Sequence, residues 1–306
     1  LKTIETNFQQ EMLGILERAA PAVELGGNIV RKVIEGLVIG LLLGGGIIFL
    51  IALLDNRILS AEDLANRFEE PVLGVIPFEP TAGEKPLTLL TPNDERHTFA
   101  EACRNLRSSL LFMERERGSA HVILVTSAIP GEGKSTIASN LALSLSFANY
   151  RTLLIDADLR RGRLAQAFRL PREPGLAELL VHRLSLDDVA QSTDTAGLDV
   201  ITSGNFPDRP GERLLDEYFS TVLSAAKERY PYIVIDSAPI LATDDTTSFV
   251  NKVDDVLFTV RSGYSRARQI RPAIDRLALQ NQEVTGLVLN FMDAKEPNYY
   301  YYKYDN

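Results

Sequence analysis

The spacing of apolar residues changes character along the chain, and each change marks an element. Ile4, Phe8, Met12 and Leu16 recur at helical spacing and predict a short amphipathic or coiled segment that ends before Pro21. Residues 36–54, GLVIGLLLGGGIIFLIALL, carry no charge; as a helix such a run covers roughly 28 Å, the depth of a bilayer core. It predicts a transmembrane helix, bounded at 33–54, because the core helix of a soluble domain is rarely apolar on every face. A signal peptide fits less well, since the run is too long and lies too far along the chain. Gly44, Gly45 and Gly46 would weaken a soluble helix, whereas in a membrane they let another helix approach closely. Beyond it, Ser60 to Glu70 predicts a helix with a Ser60–Asp63 capping box, stopped by Pro71. Residues 77–95, with several Pro, Thr and Gly, predict a linker.

From about residue 96 short apolar runs alternate with helical patterns. His121–Ser127, Arg151–Ile155, Leu198–Thr202, Tyr232–Asp236, Asp255–Val260 and Val284–Asn290 are rich in Val, Ile and Leu, and helix-length segments separate most of them. Buried parallel strands joined by crossover helices explain that rhythm, so the fold class is α/β, a doubly wound and mostly parallel sheet.

Composition narrows the partners. A net charge of -9 gives no broad basic field for nucleic acid, so no nucleic-acid partner is expected. The single Cys103 excludes an intrachain disulfide framework, and three scattered histidines offer no metal-ligand spacing. The chain begins at Leu1, and its first residues predict a fragment of a longer polypeptide.

The chemistry concentrates after the first predicted strand of that region. HVILVTS runs into AIPGEGKST and then a helical pattern, the strand, loop and helix order of a phosphate-binding loop. Pro130, Gly131, Glu132, Gly133, Lys134, Ser135 and Thr136 form the candidate cradle: glycines let amides face phosphate, Lys134 brings mobile charge, and the Ser135 hydroxyl can ligate Mg²⁺. Ala128 replaces the usual first glycine. LLIDADLRR brings Asp156 and Asp158 to a strand's carboxyl edge, and YIVIDSAP brings Asp236 to the same edge. Carboxylates there can hold Mg²⁺ or take a proton from an attacking hydroxyl; alone, each is more often a cap or turn residue. The tail NYYYYKYDN sets Tyr299, Tyr300, Tyr301, Tyr302 and Tyr304 nearly in succession. Such a tail could dock on a groove, but beside an ATP site it is a candidate phosphate acceptor.

Together these pieces resemble the bacterial tyrosine kinase family, the cytoplasmic kinases attached to Wzz-type polysaccharide copolymerases. SAIPGEGKS resembles its Walker A, LLIDADLRR its Walker A′, IVIDSAP its Walker B, and residues 299–304 its tyrosine cluster. The hydrophobic run is similar to the copolymerase's second membrane helix, and EDLANRFEEPVLGVIP to the juxtamembrane approach to the kinase. The resemblance implies an extracytoplasmic stem end at 1–32, a juxtamembrane helix and linker at 55–95, a kinase domain at 96–293 and a tail at 294–306. Arg31 and Lys32 on one side of the run and Arg57 on the other leave its orientation open; ATP chemistry places the kinase in the cytoplasm, at the bacterial inner membrane.

The resemblance also implies roles. ATP with Mg²⁺ would lie along residues 130–136, with Lys134 on the β- and γ-phosphates and Ser135, Asp158 and Asp236 around the metal. Asp156 would orient or deprotonate tyrosine, Arg160 would neutralise transferring charge, and Asn290 would contact adenine. Glu101, Arg104 and Arg107 match an ExxRxxR pattern at the family's ring interface, an octamer in which each tail enters a neighbour's site; from spacing alone they could form an intrahelical salt-bridge set. Polysaccharide assembly and export proteins and a tyrosine phosphatase are the implied partners. Arg209 stands where relatives often carry Asn. Two alternatives remain: a ParA/MinD-type ATPase, whose signature lysine is here Ile129, and a non-catalytic nucleotide-binding scaffold. A GTPase fits less well, since the Asn290–Asp293 frame lacks the lysine of a guanine motif.

Overall fold

The structure is a computed structural model and describes residues 28–80, 87–113, 120–205 and 209–293. The predicted segment at Ile4–Leu16 and the five tail tyrosines, Tyr299 to Tyr302 and Tyr304, lie outside the described residues. The chain forms two units, one ending at Asp55 and the other beginning at Asn56. In the first, helix α1 (Ile29–Leu54) starts ahead of the uncharged run and includes an Arg31–Glu35 ion pair at 2.7 Å. Its stretch Ile29–Leu50 is long and apolar enough to cross a membrane.

The second unit is built on an eight-stranded sheet. Its strands are β1 (Val72–Pro77), β2 (His121–Ser127), β3 (Thr152–Asp156), β4 (Gln191–Ser192), β5 (Leu198–Ile201), β6 (Tyr232–Asp236), β7 (Asp255–Arg261) and β8 (Gly286–Met292). They lie in the order β1-β8-β7-β2-β6-β3-β5-β4, and all pairs are parallel except β4 with β5. Helices cover both faces: α2 (Ala61–Arg67), α3 (His97–Met113), α4 (Lys134–Phe147), α5 (Leu164–Phe168), α6 (Leu176–His182), α7 (Leu186–Val189), α8 (Pro210–Leu215), α9 (Glu217–Lys227) and α10 (Ala267–Ala278). Alternate strand residues feed two cores. Val122, Leu124, Leu153 and Ile155 join Leu64, Leu176, Phe219 and Ile270 on one side. Ile123, Val125 and Leu154 join Phe99, Leu106 and Leu141 on the other. Strands buried on both faces need continuous apolar runs, which is why they stand out in the sequence.

Two expectations for residues 55–95 change. Among the described residues the second unit begins at Asn56, not at 96, because VLGVIP forms an edge strand on β8. Pro71 and Pro77 bracket that strand, tolerable only at an edge, and Gly74 lets Leu106 of α3 approach to 3.1 Å of where a Cβ would stand. The linker is also anchored in part: Leu87 and Leu90 are buried, and Asn140 of α4 accepts from Leu90 N at 2.7 Å while donating to Thr88 O at 2.8 Å. Helix α2 is shorter than predicted and its capping box is only half formed: Ser60 Oγ accepts from Asp63 N at 3.1 Å, but Asp63 accepts from Leu59 N, at 3.4 Å, instead of from Ser60 N.

The topology puts the chemistry together. Strands β3, β6, β2 and β7 are neighbours, so the loops after them open side by side. Asp156 pairs in register with Asp236, and Arg261 with Asn290.

The β1–β8 seam is tight enough to test. A Cβ on Gly286 would overlap Leu73 and stand 3.1 Å from Pro71 O. Gly286→Ala is expected to destabilise the fold by ~1–3 kcal/mol in denaturant unfolding. Adding Leu73→Ala should then cost less than the sum of the two single changes; strict additivity would show that the two do not meet.

Candidate functional site

The loop between β2 and α4 has the backbone that its glycines permit. Gly131 and Gly133 take φ of 89° and 88°, the left-handed region that favours glycine. Any side chain on Gly133 would overlap the Asn290 amide. Helix α4 starts at Lys134 without an acidic residue in its first turn, so free amides and the positive end of the helix dipole meet at one point.

Lys134 is buried beneath this loop. Its Nζ lies 2.9 Å from Asp158 Oδ2 and 3.8 Å from Asp236 Oδ1. Burial works against its charge, but Asp236 and Asp158 outweigh that and hold its pKa above the ordinary lysine value. Asp158 also accepts from Arg161 N at 3.0 Å. Asp156 accepts from Leu164 N at 3.1 Å through Oδ2. Asp156 Oδ1 and both oxygens of Asp236 lack a well-formed hydrogen bond, although the Ser135 hydroxyl is near enough to Asp236 to favour its charged form. Burial, then the nearby Asp236 charge, pushes the Asp156 carboxyl up to about 8, and burial raises Asp236 as well.

Three carboxylates share one ammonium, and the unpartnered buried oxygens are the atoms a divalent cation would satisfy. Among the described residues no group of three Asp, Glu, His or Cys side chains forms a ready metal cage. Mg²⁺ prefers one or two carboxylates with water and phosphate oxygens, and Asp158 and Asp236 beside Lys134 can supply those carboxylates. Ser135, buried at the start of α4, can add its hydroxyl.

A cavity of about 600 Å³ opens over the loop and is lined by Phe78, Phe99, Lys134, Asp158, Pro239 and Phe291, among others. Only Asp158 of the three aspartates lines it; Asp156 and Asp236 are 0% and 1% exposed. At one end Phe78 and Phe291 stack with centroids 5.6 Å apart, and Arg261 lies 4.2 Å over Phe291. None of these three was expected at the site from sequence: Phe78 fell in the linker, Arg261 ends a strand with no motif around it, and Phe291 was noted only within the guanine-like Asn290–Asp293 frame.

Other predicted residues stand in different surroundings. Arg160 lines the cavity but is held as a fork on Asp245, with Nε–Oδ2 2.6 Å and Nη2–Oδ1 3.2 Å, and sequence gave no hint of that partner. Asn290 donates from Nδ2 to Glu132 O at 3.1 Å, and its Oδ1 accepts from Phe291 N at 2.9 Å, so its amide braces the loop. Glu132 turns its carboxylate inward to Ile129 N, at 2.8 Å, and to Ser265 Oγ; burial raises its pKa to about 7. Glu101 and Arg104 pair with each other on an exposed face at 2.6 Å, whereas Arg107 is drawn to Ser144 O at 2.8 Å, so the three do not project alike.

Known proteins are similar to this chain in sequence and fold. A family model described as an AAA domain matches residues 120–282. The putative tyrosine-protein kinase EpsB of Ralstonia solanacearum is 32% identical over 276 residues, which cover 87% of this chain and 36% of that protein. The tyrosine-protein kinase YwqD of Bacillus subtilis (strain 168) is 33% identical over 204 residues, covering 66% of this chain and 86% of that protein. The solved kinase domain of the Escherichia coli tyrosine kinase ETK superposes with a TM-score of 0.70 at 28% identity, over 78% of this chain and 96% of that one. The chain spans little more than a third of EpsB's length.

The buried carboxyl of Asp156 predicts a pH signature. A group whose folded pKa exceeds its unfolded value of 3.8 binds protons more readily in the native state, so its contribution to stability falls as pH rises from 3.8 to about 8. Asp156→Asn removes that slope. Between about pH 5 and pH 8.5 the melting temperature should shift in the variant's favour by several degrees, at roughly 2–4 °C per kcal/mol. A shift below about 1 °C would show that the carboxyl is not protonated in the fold.

Proposed function

This chain belongs to the bacterial tyrosine-protein kinase family, and from that premise we propose that it moves the γ-phosphate of ATP onto tyrosines of its own C-terminal cluster. The observation that carries the proposal is the meeting of Lys134, Asp156, Asp158 and Asp236 beneath a glycine loop whose amides lie at a helix N-terminus.

In this proposal the phosphates lie along residues 130–136, and the base rests toward Phe78 and Phe291, the aromatic end of the cavity. Asn290 keeps a second amide N–H beyond the one given to Glu132 O, and that hydrogen is the one for adenine. Ser135, Asp158 and Asp236 would hold Mg²⁺, which would supply charge neutralisation to the phosphates. Lys134 leaves Asp158 to bridge the β- and γ-phosphates, and the enclosed carboxyl of Asp156 is the proposed base. Burial raises its pKa, which makes the carboxyl a stronger proton acceptor once it is ionised. Arg160, fixed by Asp245, offers positive charge at the cavity wall. Phosphoryl transfer is largely dissociative, so holding the reactants in line matters more than base strength.

The acceptors are Tyr299, Tyr300, Tyr301, Tyr302 and Tyr304 of a neighbouring copy in a ring-shaped homo-oligomer, an octamer in this reading. Glu101 and Arg104 lie on an exposed face, and in this reading they are the part of the ExxRxxR pattern that meets a neighbour. Helix α1 crosses the bacterial inner membrane with the kinase in the cytoplasm, as the second membrane helix of a Wzz-type copolymerase. The kinase would thereby act on polysaccharide polymerisation and export, with a tyrosine phosphatase reversing the modification.

Lys134→Met is the test. With MgATP, intact-mass spectrometry of the tail should show phosphotyrosine on the wild type and at least about 100-fold less on the variant. Wild-type-like tail labelling by Lys134→Met protein overturns the assignment. Release of free phosphate without any tail labelling by the wild type points to an ATPase instead.

A further inference from the structure

We propose that Tyr264, Arg261 and Asn290 are positioning residues that set the phosphate-binding amides of the glycine loop by gripping the carbonyls of three successive residues. This rests on the nucleotide reading of the same site. Tyr264 Oη donates to Pro130 O at 3.2 Å, Arg261 Nη1 to Gly131 O at 2.9 Å, and Asn290 Nδ2 to Glu132 O at 3.1 Å. All three donors come from one place, the end of β7, the turn after it and the end of β8.

Peptide geometry turns that grip into a statement about the opposite side of the loop. In a trans peptide the C=O of one residue and the N–H of the next point in opposite directions. Carbonyls of Pro130, Gly131 and Glu132 held toward β7 and β8 therefore direct the amides of Gly131, Glu132 and Gly133 away from them, as a phosphate cradle requires. Residues 131 and 133 reach this only with positive φ, and both are glycine. Free loops sample many amide directions, whereas a ligand meeting donors already turned toward it bears no reorganisation cost.

The brace is itself held. The Arg261 guanidinium lies against both the Tyr264 and Phe291 rings, at 5.0 and 4.2 Å from the ring centres. Ser265 anchors the loop a fourth time through the Glu132 carboxylate, and Ser265 Oγ accepts from Arg261 N at 2.8 Å. Without the brace, the glycines that allow the cradle would equally allow its collapse.

The test measures binding of MgADP and of magnesium pyrophosphate, which has no base, to the full chain carrying Arg261→Ala, Arg261→Lys or Tyr264→Phe. Losing the Arg261 bond should weaken both ligands by a similar factor, on the order of 10-fold or more, and losing only the Tyr264 hydroxyl by roughly 3-fold. Arg261→Lys, which restores a donor without the fork, should recover part of the loss. In turnover, the KM for ATP should rise by a larger factor than kcat falls. Equal affinity of Arg261→Ala and wild type for both ligands overturns the proposal. So does a loss confined to MgADP, which would assign Arg261 to the base through Phe291. Should Arg261→Ala unfold, the partly exposed Tyr264 hydroxyl carries the test alone, and unchanged affinity in Tyr264→Phe overturns the proposal. A wild type that binds both ligands but never labels its tail defeats the kinase proposal and leaves the brace intact.

Discussion

The structure turns on a charge imbalance that the sheet enforces. Parallel pairing of β3 with β6 sets Asp156 beside Asp236 in register, and the turn after β3 brings Asp158 to the same Lys134. Like charges side by side in a sheet are unfavourable, and burial removes the water that would screen them. One ammonium cannot balance three carboxylates, so protonation holds Asp156 partly neutral and two carboxylate groups keep buried oxygens without well-formed hydrogen bonds. A fold tolerates this only where the surrounding core is closely packed, and here apolar layers on both faces of the sheet supply it.

What could be read directly from sequence is what is encoded locally. Fully buried strands need unbroken runs of Val, Ile and Leu, so β2 and β6 match their predicted bounds residue for residue. β3, β5, β7 and β8 shift by one or two residues; at the start of β8, for instance, Thr285 meets Val256 through its hydroxyl before the ladder begins. The glycine loop and the aspartates were legible for the same reason, because a strand end followed by a short motif fixes both residue type and place.

What could not be read depends on partners far along the chain. VLGVIP, with a glycine inside and prolines at both ends, has the texture of a loop; it becomes a strand because β8 offers an open edge. The resemblance gives Asn290 a base contact, and only the fold shows that Glu132 O, 158 residues away in sequence, also takes one of its amide hydrogens. Arg107 shared a helix face with Glu101 and Arg104, but no helical wheel reveals that Ser144 of α4 lies beneath it. Side chains that hold backbone carbonyls leave no pattern, because a carbonyl is present at every residue.

The turn at 261–267 shows why the two ends of the chain serve one site. Its inner side carries Arg261, Tyr264 and Ser265 against the glycine loop. Its outer side is laced to the segment after α1: Ile58 N donates to Ser265 O at 2.9 Å, Gly263 N to Ile58 O at 2.8 Å, and Ala267 N to Asn56 O at 3.0 Å. Ile58 is fully buried, so this lacing is seated in the core rather than laid on the surface. A loop that must be flexible in sequence, with two glycines in four residues, and fixed in space, to aim its amides, cannot supply its own rigidity. It borrows that rigidity from a strand end, and the strand end is in turn steadied by residues that lie some 70 positions ahead of the loop in the chain.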